Sequence, residues 1–386
     1  MTKSRILVLT PDYLPQLYGG IGTYVSQLYK YFTRDKLKIC FIPYGRTSLF
    51  PSEDGVISFD VHSQIDKYQK DSYIYWEKFN EISYEKIARY INESGDCPDI
   101  IHVHGSYFAL LASSLKKNFS SKLVYIKHGV EHDYQHPSHL KDSIMILLAD
   151  QVICPSQWVA NEVPKAHPLM FSPMKTIHSG IEIQNAVTPV IKNNKILFCG
   201  RLSKRKGVDV LIKAVVKISS FLRLSGYTVD IIGTGDQENL IKELVKSSGI
   251  SDIVSFRGYI ENRQVLTEMA HSKILVIPSF DEPFGLVAVE GFSQEVCVVA
   301  SRSGGLSEVI TDNETGLLFE PGNDDELAQI LKRLIENPAI CEALIKKATA
   351  ILSYFSWQRV YNQYEEAAIS LFNSSDILGG DIDNGN

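Results

Sequence analysis

The chain has 386 residues, is 44% hydrophobic and 22% charged, and carries a formal net charge of −6. That length exceeds one ordinary core and asks for two or three domains, the composition is that of a soluble globular protein, and neither half is basic enough to indicate a nucleic-acid partner. Six scattered cysteines without close pairs (Cys40, Cys97, Cys154, Cys199, Cys297, Cys341) argue for free thiols in a reducing compartment.

The opening "MTKSRILVLTPDYLP" has an apolar core too short for a signal peptide, and no apolar run reaches the ~18 residues of a membrane span. The expectation is a cytoplasmic protein, with peripheral contact at the inner face of the membrane left open. "RILVLTP" reads as a buried strand, followed by a glycine-rich turn and a helical "TYVSQLYKYF". The segment "DKYQKDSYIYWEKFNEISYEKIARYI" reads as a long, polar and aromatic helix. "LKICFIPY", "DIIHVHG", "KLVYIKHG" and "DQVICPS" are further strands ending in turn or polar residues. Short β-rich runs separated by helical ones predict a parallel sheet wrapped by helices.

The periodicity lapses around "EIQNAVTPVIKNNK", which sets an expected boundary between domains 1–187 and 188–356. The pattern then restarts with "KILFCGR", "YTVDIIGTG", "IVSFRGYI", "KILVIPS", "VCVVASRSGG" and "GLLFE". The fold class is therefore α/β, with two Rossmann-like domains and a cleft between them, where ligands meet the carboxyl ends of the strands. Residues 374–386, "SSDILGGDIDNGN", read as a low-complexity, disordered tail.

Five turns follow strands and precede helices. "YGGIGTY" brings Gly19, Gly20 and Gly22 to a helix start, where backbone N–H groups suit an anion. "CGRLSKRKGVD" places Arg201 and Lys206 after a strand, with Lys204 and Arg205 beside them, a pattern that suits phosphate but also fits a solvated basic loop. "IIGTGDQ" only shapes its turn. "SRSGGLSEVI" is another glycine turn before a helix. "DEPFGLVAVE" brackets an apolar run with Glu282 and Glu290; Pro283 suits a first helical turn, which would leave Glu282 in a loop and Glu290 in the helix. Together these turns form a mouth of backbone donors and two cations suited to a diphosphate.

A metal reading fits less well. "HGVEH" matches a zinc-protease pattern and "HVH" adds His102 and His104, but that motif works only on a helix. Here His128 ends a strand and Gly129 follows at once. The only D-x-D, Asp381 to Asp383, falls in the tail, and no Walker-type lysine loop appears.

With these residues in view, the chain resembles the retaining glycosyltransferases of family four, of the GT-B fold, from "GGIGTYV" to "YFSWQRVYNQYEE". The most specific part is E-x7-E, Glu282 and Glu290. The resemblance implies a nucleoside-diphosphate-sugar donor gripped at its diphosphate by Arg201 and Lys206, with Glu282 on sugar hydroxyls and Glu290 on the ribose. Backbone N–H groups of Gly285, Leu286 and Val287 would complete the cradle, Gly20 would approach from the other domain, and the base would lie near Arg257 and Tyr259. His128 would stand near the sugar. The catalytic set implied is thus Glu282, His128, Arg201 and Lys206, with no metal and no cofactor. The first domain would bind the hydroxyl acceptor (a saccharide, cyclitol or lipid-linked saccharide), the second the donor, and a helix over 357–373 would cross back onto the first. The rival readings are a sugar-nucleotide 2-epimerase of the same fold, which needs acid/base groups at the sugar's C2, and a non-catalytic sugar-nucleotide binder. UDP-glucose, UDP-N-acetylglucosamine and GDP-mannose all stay open as donors.

Overall fold

The structure is a computed structural model that describes residues 4–13, 20–33, 36–43, 55–69, 72–131, 133, 136–182 and 190–373. The chain forms two compact units. One runs to Gly180 and takes in the helix Trp357–Asn373; the other is Ile181–Ser356. The division thus falls at Gly180/Ile181 and again at Ser356/Trp357. The boundary expected at 187/188, Gly19, His132 and the tail with Asp381 and Asp383 lie outside the described residues.

The first unit is built on a seven-stranded parallel sheet of order β3-β2-β1-β4-β5-β6-β7. Its strands are β1 Ile6–Thr10, β2 Leu37–Phe41, β3 Val56–Ser58, β4 Ile100–His104, β5 Lys122–Ile126, β6 Gln151–Cys154 and β7 Met174–Thr176. Every residue of β1 and β4 is buried, as expected where helices cover both faces of a sheet. Alternation then sorts side chains to the two faces. Leu7, Leu9, Ile101 and Val103 enter one core with Phe79 and Phe108, while Ile6, Val8 and Ile100 enter the other with Tyr24, Tyr29 and Trp357.

Two helices explain why those layers close. In Tyr73–Ser94, Ser72 caps the start by accepting the Tyr75 N–H, and Gly95 ends it in the left-handed region (φ 74°). Its buried stripe (Trp76, Phe79, Asn80, Ser83, Ile87, Ile91) repeats every three or four residues. The helix Trp357–Asn373 buries Trp357, Val360, Tyr364, Ala367, Ala368 and Leu371 in the same way, and the hydroxyls of Tyr364 and Tyr24 meet at 2.8 Å.

The second unit carries a six-stranded parallel sheet of order β10-β9-β8-β11-β12-β13. These strands are β8 Asn193–Cys199, β9 Thr228–Ile232, β10 Val254–Gly258, β11 Ser272–Ile277, β12 Cys297–Ser301 and β13 Leu317–Phe319. Two hydrophobic layers again lie on its faces. Strand order reverses between β1 and β4 in the first sheet and between β8 and β11 in the second. In open α/β sheets a crevice opens at such reversals, outside the carboxyl ends of the strands. Among the described residues, no helix is long and apolar enough to cross a membrane.

Candidate active site

In the second unit the reversal point gathers two loops. One leaves β8 through Gly200 to Gly207, the other leaves β11 through Pro278 to Gly285. The Phe280 N–H donates to the Arg205 carbonyl (2.8 Å) and ties them together. Side chains complete the join. Lys206 Nζ lies 2.6 Å from Glu282 Oε2, Arg205 Nη2 lies 2.9 Å from Asp281 Oδ2, and Ser279 Oγ donates to Glu282 Oε2 at 3.2 Å. Behind them, Ser301 and Ser303 hydroxyls donate to the Ser279 carbonyl.

Glycine lets a third turn support this loop. The Gly305 N–H donates to the Glu282 carbonyl at 2.8 Å, and a Cβ on Gly304 would stand 2.2 Å from that same oxygen. The turn "SGG" therefore supports the backbone of Glu282.

The helix after this loop is Leu286–Ser293. Pro283 is not in its first turn, contrary to the sequence expectation. Gly285 adopts φ 99°, outside the right-handed helical region, so no helix can pass through it, and Phe284 is drawn into the core at 4% exposure. The consequence for the site is favourable. Glu282 stays in the loop, 9% exposed, and Glu290 sits in the helix's second turn. The N–H groups of Gly285, Leu286 and Val287 donate to no described residue, as the first turn of a helix leaves them.

Glu290 is only partly exposed and accepts a long hydrogen bond from Asn262 Nδ2 (3.4 Å). Burial pushes its carboxyl up to about 7, against an ordinary 4.5. Arg201 is exposed and forms no ion pair among the described residues, so its guanidinium is available to a ligand. Tyr259 is 73% exposed. Arg257, by contrast, has carboxylate partners, with Nη1 at 3.3 Å from Asp230 and Nη2 at 3.7 Å from Glu268. Lys195 bridges the same two acids at 2.9 Å each.

In the first unit, Asp12 follows β1 and is 3% exposed; its Oδ2 accepts the Gly22 N–H at 3.1 Å. The helix Gly20–Leu28 holds Gly20 and Gly22 within its first described turn, at the helix start expected from the sequence. A carboxylate there suits the positive end of the helix, and it already holds one of the N–H groups expected to face an anion.

His128 lies two residues past β5. The intervening Lys127 is buried and pairs with buried Asp142 at 2.5 Å, and Tyr125 donates to the same carboxylate. Removing one partner of such a buried pair costs on the order of 3–5 kcal/mol, so this pair anchors the chain that presents His128. The His128 ring stands edge-on to Tyr24 at 5.2 Å. Its Nε2 lies 2.9 Å from Nδ1 of His104. His104 Nε2 in turn meets the Tyr29 hydroxyl at 2.9 Å, and that hydroxyl meets His102 Nδ1 at 2.8 Å. Burial pushes His128 down to about 4 and His102 to about 3, and lowers His104 as well. All three imidazoles are neutral at physiological pH.

Tyr29, Asp12 and Ser279 carried no motif in the sequence. The "HVH" pair did carry a signal, because residues two apart on a strand share a face, but the partner they meet, Tyr29, comes from another element. Among the described residues, no three His, Cys, Asp or Glu side chains gather as metal ligands.

The model of Glycosyltransferase Family 4 matches residues 18–185, and that of Glycosyl transferases group 1 matches residues 181–350. Two solved structures share the fold. Sucrose-phosphate synthase from Thermosynechococcus elongatus is 20% identical with a TM-score of 0.79, over 96% of this chain and 100% of that one. Alr3699/HepE from Anabaena, in complex with UDP and glucose, is 22% identical with a TM-score of 0.77, over 95% and 100%. Two parallel-sheet α/β units of this kind are those of a GT-B glycosyltransferase. The uncharacterized glycosyltransferase MJ1178 of Methanocaldococcus jannaschii is 30% identical over 312 residues, 75% of this chain and 82% of that protein. The chain belongs to this glycosyltransferase family, with group 1 and family 4 as its two halves.

Proposed function

We propose that this glycosyltransferase moves a hexosyl group from a UDP- or GDP-linked sugar to a hydroxyl of a saccharide, cyclitol or lipid-linked acceptor, with retention of configuration. The observation that carries the reading is the set gathered at the reversal point of the second sheet. It comprises two cations (Arg201, Lys206), three open N–H groups (Gly285, Leu286, Val287) and two carboxylates on separate elements (Glu282, Glu290). Cations and helix N–H groups suit a diphosphate, while carboxylates suit the hydroxyls of a sugar and a ribose. The solved relative from Anabaena, with UDP and glucose, supports such a ligand.

In this reading Arg201, Lys206 and the helix start stabilise the charge that grows on the departing diphosphate, in place of a metal. Glu282 orients the donor sugar and Glu290 holds the ribose. The base stacks near Tyr259, and the acceptor is taken by the first unit, where Gly20 and His128 lie. The bond from the anomeric carbon to the diphosphate oxygen breaks. The acceptor oxygen attacks that carbon from the same face, and its proton passes to the departing oxygen, so no protein base is required. Thermal shift against UDP-glucose, UDP-N-acetylglucosamine and GDP-mannose identifies the donor. The anomeric coupling of the first-formed product, read by NMR, then tests the stereochemistry. An α-donor giving a β-linked product would overturn the mechanism, and no shift with any nucleotide sugar would overturn the substrate class.

A further inference from the structure

The two carboxylate oxygens of Glu282 stand in different surroundings. Oε2 accepts from Lys206 Nζ at 2.6 Å and from Ser279 Oγ at 3.2 Å. Oε1 accepts from no described residue, yet it is not one of the enclosed oxygens that lack a partner. Oε1 is therefore the oxygen that solvent reaches, and the one a ligand can reach.

The two groups on Oε2 are held very differently. The Lys206 ammonium ends a flexible four-carbon stem, and 30% of that side chain is exposed. Ser279 is 1% exposed and pinned by its neighbours. The buried hydroxyls of Ser301 and Ser303, at the end of the adjacent strand β12, donate to its carbonyl. The Phe280 N–H that follows donates to the Arg205 carbonyl. A serine has one O–H to give, and an ionised carboxylate can only accept. The Ser279 hydroxyl thus points out of a fixed turn and onto Oε2.

An anion arriving at this loop disturbs only one of these two contacts. A diphosphate that recruits Lys206 draws the ammonium off Oε2. Among the described side chains, Ser279 is then the one that still donates to that oxygen. A buried carboxylate left without a donor is strongly unfavourable, so the serine lowers the cost of moving Lys206. We propose that Ser279 is a positioning residue for Glu282. It keeps Oε2 anchored while Lys206 turns to the anion, so that Oε1 stays presented to the ligand. That the anion is the diphosphate of a nucleotide sugar rests on the function proposed above.

The test needs no turnover. Affinities for UDP and GDP are measured by calorimetry in the full chain, and the tighter nucleotide is carried through four proteins. These are the wild type, Ser279→Ala, Glu282→Gln and the double variant. Ser279→Ala removes one oxygen and leaves the backbone bonds of the turn in place. In the wild-type background it should weaken nucleotide binding about tenfold, the scale of one hydrogen bond to a charged group. The reason is that Lys206 can no longer leave Glu282 without stranding it. In the Glu282→Gln background Lys206 has no ion pair with residue 282 to give up, and the same substitution should change affinity by less than about twofold.

Equal losses in both backgrounds overturn the proposal, because a serine that touches the nucleotide itself, or only shapes the loop, gives that result. Unchanged affinity in Ser279→Ala overturns it as well. Either result, with the wild type binding a nucleotide, refutes this inference and leaves the donor class standing. No binding of UDP or GDP by the wild type refutes the donor class and takes this inference with it.

Discussion

Lys206 and Glu282 are 76 positions apart in the chain, yet Nζ and Oε2 meet at 2.6 Å. The sequence reading gave them separate tasks, one on diphosphate and one on sugar. Their contact makes those tasks dependent on one another, because a diphosphate that recruits Lys206 competes with Glu282 for the same ammonium.

That contact yields the first prediction. Glu282→Gln should lower turnover about 100-fold or more, the scale of a lost oriented polar group. Affinity for free UDP or GDP should stay the same or rise, since Lys206 is released. Lys206→Ala combined with Glu282→Gln should cost less than the product of the single losses, as expected for side chains in contact. Near-normal kcat in Glu282→Gln, or strict multiplicativity in the double variant, removes the idea.

A ranking within the basic loop comes second. Arg201→Ala and Lys206→Ala should each cost roughly 2–4 kcal/mol of transition-state stabilisation, measured as kcat/KM. Lys204→Ala and Arg205→Ala should cost much less. Arg205 is engaged by Asp281 through an exposed guanidinium, and ion pairs at such solvent-facing positions are worth little. Equal small effects at all four positions would return the loop to an ordinary solvated surface.

Glu290 gives a pH dependence of stability. Its carboxyl is raised from 4.5 to about 7 by burial. Between those values the folded protein keeps a proton that the unfolded chain has lost, so stability falls as pH rises through this window and levels off above it. At ~1.4 kcal/mol per unit, and less because the side chain is partly exposed, the loss is on the order of 2 kcal/mol. Glu290→Gln cannot ionise and should be more stable than the wild type above about pH 7, with the difference vanishing in acid. Urea unfolding of both proteins on either side of the window checks this; parallel pH profiles would refute it.

Transfer should survive excess EDTA, since Arg201, Lys206 and the start of the helix Leu286–Ser293 supply positive charge where the diphosphate is proposed to bind. Loss of activity restored by Mg²⁺ or Mn²⁺ would show that these groups do not suffice.

Local pattern by itself determined the two-domain α/β architecture and the chain position of most candidate site residues. Buried parallel strands must be apolar on both faces, and the polar residues that end them mark the carboxyl-end loops. In this way "KILFCGR" announced Arg201, and "KLVYIKHG" announced His128. Helix start was less legible. Pro283 is compatible with a first turn, but the left-handed Gly285 and the buried Phe284 place the start three residues later. Tertiary structure alone decided which side chains meet. The Lys206–Glu282 pair, the Gly304–Gly305 support under Glu282 and the Tyr29 bridge between His102 and His104 join residues from separate loops, strands and helices. Period and propensity describe a residue's relation to its own element, whereas these contacts depend on strand order. That order reverses between β1 and β4, and between β8 and β11, because of how helices pack on a twisted sheet.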